Sequence, residues 1–184
     1  MKMSARIVVG FLFMVLISQA AFAAGDYSVG PGDVLEISVW RDESLIRKVV
    51  VPPDGVISFP LIGDINANGM TIADIRKSVT QKLKEYVQDS VVTVMLLEIN
   101  SMNAYVIGKV KTPGGFQILM DTNVMQMLSM AGGLTPFASE KNIHILRKEK
   151  NTTVKIPFNY SEVLKGENLG QNIVLQRGDV VVVP

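Results

Sequence analysis

The sequence has no cysteine, one histidine and one tryptophan among its 184 residues. Without cysteine there is no disulfide, no thiolate metal ligand, no thiol nucleophile and no lipid attached through a cysteine at a processing site. The single histidine, His144, has no serine nucleophile elbow or neighbouring motif to make it a general base, so it reads as structural or surface histidine. Gly30-x-Gly32 is no dinucleotide fingerprint, because the third glycine is missing and a strand follows where a helix is required. No phosphate loop or zinc spacing occurs. Asp33, Glu36 and Asp42 could pair as an acid and base on a sugar, but acidic residues beside turns are more simply solvated or bonded to backbone. No catalytic residue, cofactor or metal site is therefore expected. No clustered basic excess is present either, and with it goes the footprint of a nucleic-acid partner.

What is present begins with Lys2 and Arg6, then an apolar run from Ile7 to Ile17, then Ala21-Phe22-Ala23. That order is a secretory leader with the small-x-small pattern of a signal peptidase site. The run is shorter than the roughly 20 residues of a membrane-spanning helix. Cleavage is expected after Ala23, leaving Ala24 as the first residue and residues 1–23 as the signal peptide. The leader holds two of the 18 basic residues and none of the 17 acidic ones, leaving 16 against 17 afterwards. It also raises the mean hydropathy, +0.30 over the whole chain. Removing 23 of 184 residues leaves enough chain for one ordinary domain or two small ones.

Two units are expected, residues 24–100 and 101–184. In the first, Leu35, Ile37 and Val39 alternate with Glu36 and Ser38, the period of a half-buried strand. Arg47–Val51 and Val56–Phe59 read as a hairpin about Asp54-Gly55, with a short strand within Leu61–Ile65. Thr71 caps a helix whose stripe is Ile72, Ile75, Val79, Leu83 and Tyr86 or Val87. Val91–Ile99 is apolar on both faces: a strand buried on both sides, or one with a face meeting another subunit.

The second unit repeats this vocabulary. Short strands Ala104–Gly108 and Phe116–Leu119 precede a helix capped by Thr122, with the stripe Val124, Met127, Leu128 and Ala131 stopped by Gly132-Gly133. Asn142–Arg147 and Thr152–Ile156 form a hairpin whose solvated end is the charge run Arg147–Lys150. A helical turn near Ser161–Lys165, a strand Ile173–Leu175 and a last strand Val180–Val183 complete an α+β domain with the composition of a β-grasp. Met120, Met125 and Met130 fall off the core stripe and read as exposed or interfacial. Trp40 reads as core or subunit packing, with stacking on a sugar as the alternative.

Taken in order, the turn motifs resemble one family. Tyr27-x-Val29-Gly30-Pro31-Gly32-Asp33-Val34-Leu35 with Val39-Trp40, then Val51 to Asp54-Gly55, Ile57, Pro60-Leu61, Gly63 and Gly69-Met70-Thr71, look like the outer-membrane polysaccharide export family of the Wza type. Val106-x-Gly108-x-Val110-x-x-Pro113-Gly114, Ala131-Gly132-Gly133, a strand ending at Arg147, and Gly178-Asp179-Val180 resemble its soluble-ligand-binding β-grasp (SLBB) domain. These glycines suit turns that need permissive backbone, and Asp33, Asp54 and Asp179 suit turn hydrogen bonds. The recognisable residues are fold-determining.

The resemblance implies a structural subunit of a ring-like periplasmic conduit for capsule, exopolysaccharide or biofilm glycan. Its implied partners are further copies of itself, an outer-membrane β-barrel porin, an inner-membrane copolymerase that regulates chain length, and the polysaccharide. Larger members carry an acylated cysteine and a terminal pore-lining helix. This sequence has neither, so the resemblance implies a periplasmic collar peripherally associated with the outer membrane. A stand-alone periplasmic glycan-binding module is the alternative.

Overall fold

The computed structural model describes residues 27–150 and 152–184. The expected leader, with Ala21, Ala23 and Ala24, lies outside the described residues.

The first unit is built around β1 (Val34–Val39), the middle strand of a three-stranded sheet with β2 (Asp42–Val50) on one side and β5 (Val92–Glu98) on the other. Both neighbours run antiparallel to it. Leu35, Ile37 and Val39 face inward as the period-2 pattern requires, and Val92 and Val94 join them from β5. Between β1 and β5 the chain makes β3 (Val56–Phe59), β4 (Gly63–Asn66) and α1 (Ile72–Leu83). Thr71 caps α1: its hydroxyl accepts from the Asp74 N–H, and the Asp74 carboxylate accepts from the Thr71 N–H. Ile75, Val79 and Leu83 are fully buried against the sheet's inner face, whereas Tyr86 is exposed.

The expected hairpin between Arg47–Val51 and Val56–Phe59 does not form. β2 pairs with β1 through the two-residue turn Trp40-Arg41, and β3 pairs with β4. Pro52 and Pro53 follow β2 and have no N–H to donate, so a ladder cannot continue through them. Pro52 accepts from the Gly55 N–H in a tight turn that turns the chain into β3 instead.

The second unit is a five-stranded sheet in the order β7-β6-β10-β8-β9. Its strands are β6 (Asn103–Gly108), β7 (Gly114–Gln117), β8 (Ile143–Glu149), β9 (Thr152–Phe158) and β10 (Val180–Val183). β10 lies in the middle, parallel to β6 and antiparallel to β8. Two hairpins flank a central parallel pair of first and last strands, with α2 (Val124–Met130) packed on the sheet: this is the β-grasp arrangement. Gly108 ends β6 at φ 97°, and a Cβ there would stand 1.9 Å from the Val183 carbonyl oxygen. Only glycine lets β6 and β10 close at this point.

Val124, Met127, Leu128 and Ala131 are buried as the stripe requires. The cap of α2 is Asn123 rather than Thr122; Asn123 and Gln126 satisfy each other's backbone N–H. Thr122 is buried and accepts from the Leu119 N–H, which holds the loop before the cap. Ile173–Leu175 is no strand, making only a single bridge from Val174 to Asn123. The short helix α3 (Tyr160–Leu164) fills the expected position. The buried apolar residues fall into two clusters, one from Val29 to Val94 and one from Ala104 to Val183.

Candidate functional site: an open sheet face beside a buried joint

Asp33 does more than close a turn. It is fully buried at the start of β1 and accepts hydrogen bonds from the Gly30 N–H at 2.8 Å and the Tyr27 hydroxyl. From the chain that enters the second unit it accepts the Asn100 N–H at 2.9 Å, the Ser101 N–H at 2.8 Å and the Ser101 hydroxyl at 2.9 Å. Burial opposes its ionisation, but the hydrogen bonds from Tyr27, Gly30 and Ser101 outweigh it and hold the carboxyl below its ordinary range. Tyr27 is pushed up to about 12, by burial first and then by its bond to Asp33.

A second strap crosses the joint from the opposite end of the chain. Arg177 donates to the Ser28 carbonyl at 2.8 Å, and its guanidinium occupies the space where a Cβ on Gly30 would stand. Tyr27, Leu96, Ile99, Met102, Ile118, Leu119 and Met120 line an apolar cleft along the same seam.

The second unit has its own buried ion pair. Arg147 grips Asp179 with both ends of its fork, Nε to Oδ1 at 3.1 Å and Nη2 to Oδ2 at 2.6 Å. The same Nη2 donates to the Val174 carbonyl, while Asp179 also accepts the Gln176 N–H. Arg147 therefore does not belong to a solvated hairpin end, as its charge run suggested; Lys148 and Lys150 are exposed, but Arg147 turns inward.

The other singled-out positions have plain places. Gly32, Gly55, Gly132, Gly133 and Gly178 have left-handed backbone at turns, and Gly114 has φ 159°. Pro31 is half-buried, Pro113 and Gly114 are exposed, and Asp54 accepts from the Val56 N–H. His144 is half-buried with Nδ1 at 3.2 Å from the Asn142 carbonyl oxygen. Among the described residues no group of three or more carboxylates or histidines could hold a metal ion, and no helix is long and apolar enough to cross a membrane.

What remains open is the outer face of the first sheet. β5 is not buried on both sides: Val92 and Val94 point inward, while Met95 and Leu97, and Val91 just before the strand, are exposed. Ile46 and Val50 of β2 are also exposed, and Trp40 is not core at all, with 70% of its surface free. Trp40 sits in the two-residue turn at the end of the β1–β2 hairpin. Around it lies a hollow lined by Ser38, Arg41, Asp42, Glu43, Ile46, Val91 and Thr93. On the second unit Met120 and Met130 are exposed, whereas Met125 packs partly into the core.

A family model for polysaccharide biosynthesis/export proteins matches residues 22–97, and an SLBB-domain model matches residues 103–157. The chain is thus similar to polysaccharide export proteins over its first unit and to SLBB domains over much of its second. It is 29% identical over 183 residues to the EPS I polysaccharide export outer membrane protein EpsA of Ralstonia nicotianae, covering 86% of this chain and 47% of that one. It is 27% identical over 160 residues to the polysialic acid transport protein KpsD of Escherichia coli, covering 86% and 28%. It is also 27% identical over 181 residues to the capsule polysaccharide export outer membrane protein CtrA of Neisseria meningitidis, covering 86% and 44%. The chain thus spans less than half the length of each of these relatives.

Proposed function

We propose that the chain is a non-catalytic subunit of a conduit that carries capsule, exopolysaccharide or biofilm glycan across the periplasm to the outer membrane. The observation that carries this reading is the succession of an export domain and an SLBB domain along one chain. We place the boundary between them at residues 100 and 101. The working form is a closed ring of identical copies, docked on an outer-membrane β-barrel porin and fed by an inner-membrane chain-length regulator. Export through a leader cleaved after Ala23 delivers it to the periplasm, and the absence of cysteine leaves no thiol for acylation. The turn glycines, prolines and aspartates act by setting the fold.

The exposed apolar residues of β5 and of the α2 end support assembly, because surplus apolar surface on a small unit tends to mark a contact. A conduit needs head-to-tail contacts whose rotation closes, since a twofold contact stops at a dimer. Native mass spectrometry tests both points, and should give a multiple of a subunit beginning at Ala24. Met130→Asp should weaken that assembly by about tenfold or more, since an unpaired carboxylate in a contact is costly to desolvate. The folded monomer should lose under about 1 kcal/mol, the penalty of an acidic residue at the end of a helix. A wild type that stays monomeric at high concentration with the porin present would favour the glycan-binding module, a reading that the exposure of Trp40 also supports.

A further inference from the structure

The hollow beside Trp40 has a makeup that ring contacts alone do not explain. It has a volume of about 380 Å3, within the roughly 300–1,000 Å3 of small-ligand sites. Its apolar lining includes Trp40, Ile46 and Val91, all exposed. Its polar lining is Ser38, Arg41, Asp42, Glu43 and Thr93. Asp42 uses Oδ1 to hold the Ser44 N–H and hydroxyl, leaving Oδ2 free. Among the described residues the side chains of Arg41 and Glu43 have no hydrogen-bond partner. A flat aromatic ring beside free carboxylate oxygens and a guanidinium is the combination that fits a pyranose. The negative face of the indole attracts the sugar's axial C–H bonds. The carboxylates accept from ring hydroxyls, and the guanidinium donates to them.

We propose that this hollow is a saccharide subsite, and that it takes uncharged sugar units. The proposal rests on the export reading for the class of ligand. The choice of uncharged units rests on the polar lining, which holds two carboxylates and one guanidinium, so a sugar acid would meet net negative charge. A second copy of the chain fits less well. Its contact would take Asp42, Glu43 and Arg41 out of water together, whereas a sugar pairs them and leaves their outer sides in water.

The chain has only one tryptophan, so tryptophan emission, excited where tyrosine does not absorb, reports on this hollow alone. The test titrates the purified full chain with hexamers of glucose, galactose, mannose and N-acetylglucosamine, and with a sialic acid oligomer. At least one uncharged hexamer should shift or quench the emission saturably at millimolar concentration, and the sialic acid oligomer should not. The double variant Asp42→Asn, Glu43→Gln keeps the tryptophan and the Ser44 contact and should weaken that response about tenfold, from loss of charged hydrogen bonds. No response to any uncharged hexamer would overturn the proposal, as would an equal response to sialic acid. So would an emission shift that follows protein concentration without sugar, which would assign the hollow to a contact between copies. A saturable shift in a chain that forms no ring would leave this site standing and remove the conduit reading. A ring without the shift would do the reverse.

Discussion

Arg147→Ala should cost the second unit about 3–5 kcal/mol, the usual penalty for stranding one charge of a buried pair. Asp179 has 1% of its side chain exposed and Arg147 12%, so neither charge can turn to water without opening the sheet. Removing the guanidinium leaves Asp179 with the Gln176 N–H as its remaining donor. It also frees the Val174 carbonyl that Arg147 ties to the strand. For a unit of this size the melting temperature should fall by well over about 10 °C. The partner variant separates charge from packing. Arg147→Met with Asp179→Asn keeps an acceptor for Gln176 and an unbranched stem in place of arginine, and should recover much of the loss. Thermal unfolding followed by circular dichroism measures both. A single variant within about 1 kcal/mol of the wild type would show that the pair contributes little.

Asp33→Ala should act on the joint. It leaves the Gly30, Asn100 and Ser101 N–H groups and two hydroxyls without their acceptor. At about 1–3 kcal/mol for each donor that water cannot reach, the total is on the order of 4 kcal/mol. The effect has a defined pH window. Folding holds the Asp33 carboxyl below its ordinary value, so its ionised form is the one that folding favours. Its contribution is complete above about pH 4 and is lost as the pH falls further. Tyr27 bounds the other side: folding raises it from 10.0 to about 12, so its neutral form is favoured and stability falls as pH rises through that range. The difference between wild type and Asp33→Ala should therefore hold steady at intermediate pH and shrink in acid. Denaturant unfolding at several pH values measures it, and a difference independent of pH down to about 2 would contradict the role given to the charge.

Local chemistry made much of this legible. Thr71 with Asp74 three residues on marks a helix start, and the stripe Ile75, Val79, Leu83 marks its buried face. The alternation through Leu35, Ile37 and Val39 marks a strand, and the order of turn motifs marks the likeness to export and SLBB domains. What escaped depended on partners far along the chain. Asp33 looks like a turn aspartate because its binding to Asn100 and Ser101 spans 67 and 68 residues. Arg147 looks like part of a charge run because Asp179 is 32 residues away. The β1–β2 hairpin was hidden for a different reason. Its turn puts Arg41 at φ 65° with none of the Asn-Gly or Asp-Gly chemistry that announces such turns. Asp54-Gly55 offers that chemistry, but two prolines precede it. For Trp40 only the core half of the reading fails, because hydrophobicity implies burial only in one direction and an exposed aromatic carries no local signature.

The most direct measurement of the conduit reading is where the polymer goes when the chain is removed. In a deletion strain of the producing bacterium, surface and periplasmic polysaccharide would be quantified side by side, with the wild-type chain and Met130→Asp supplied in turn. The account predicts that polymer disappears from the surface and accumulates in the periplasm, that the wild-type chain reverses this, and that Met130→Asp reverses it poorly. Surface polymer at the wild-type level in the deletion strain would contradict it.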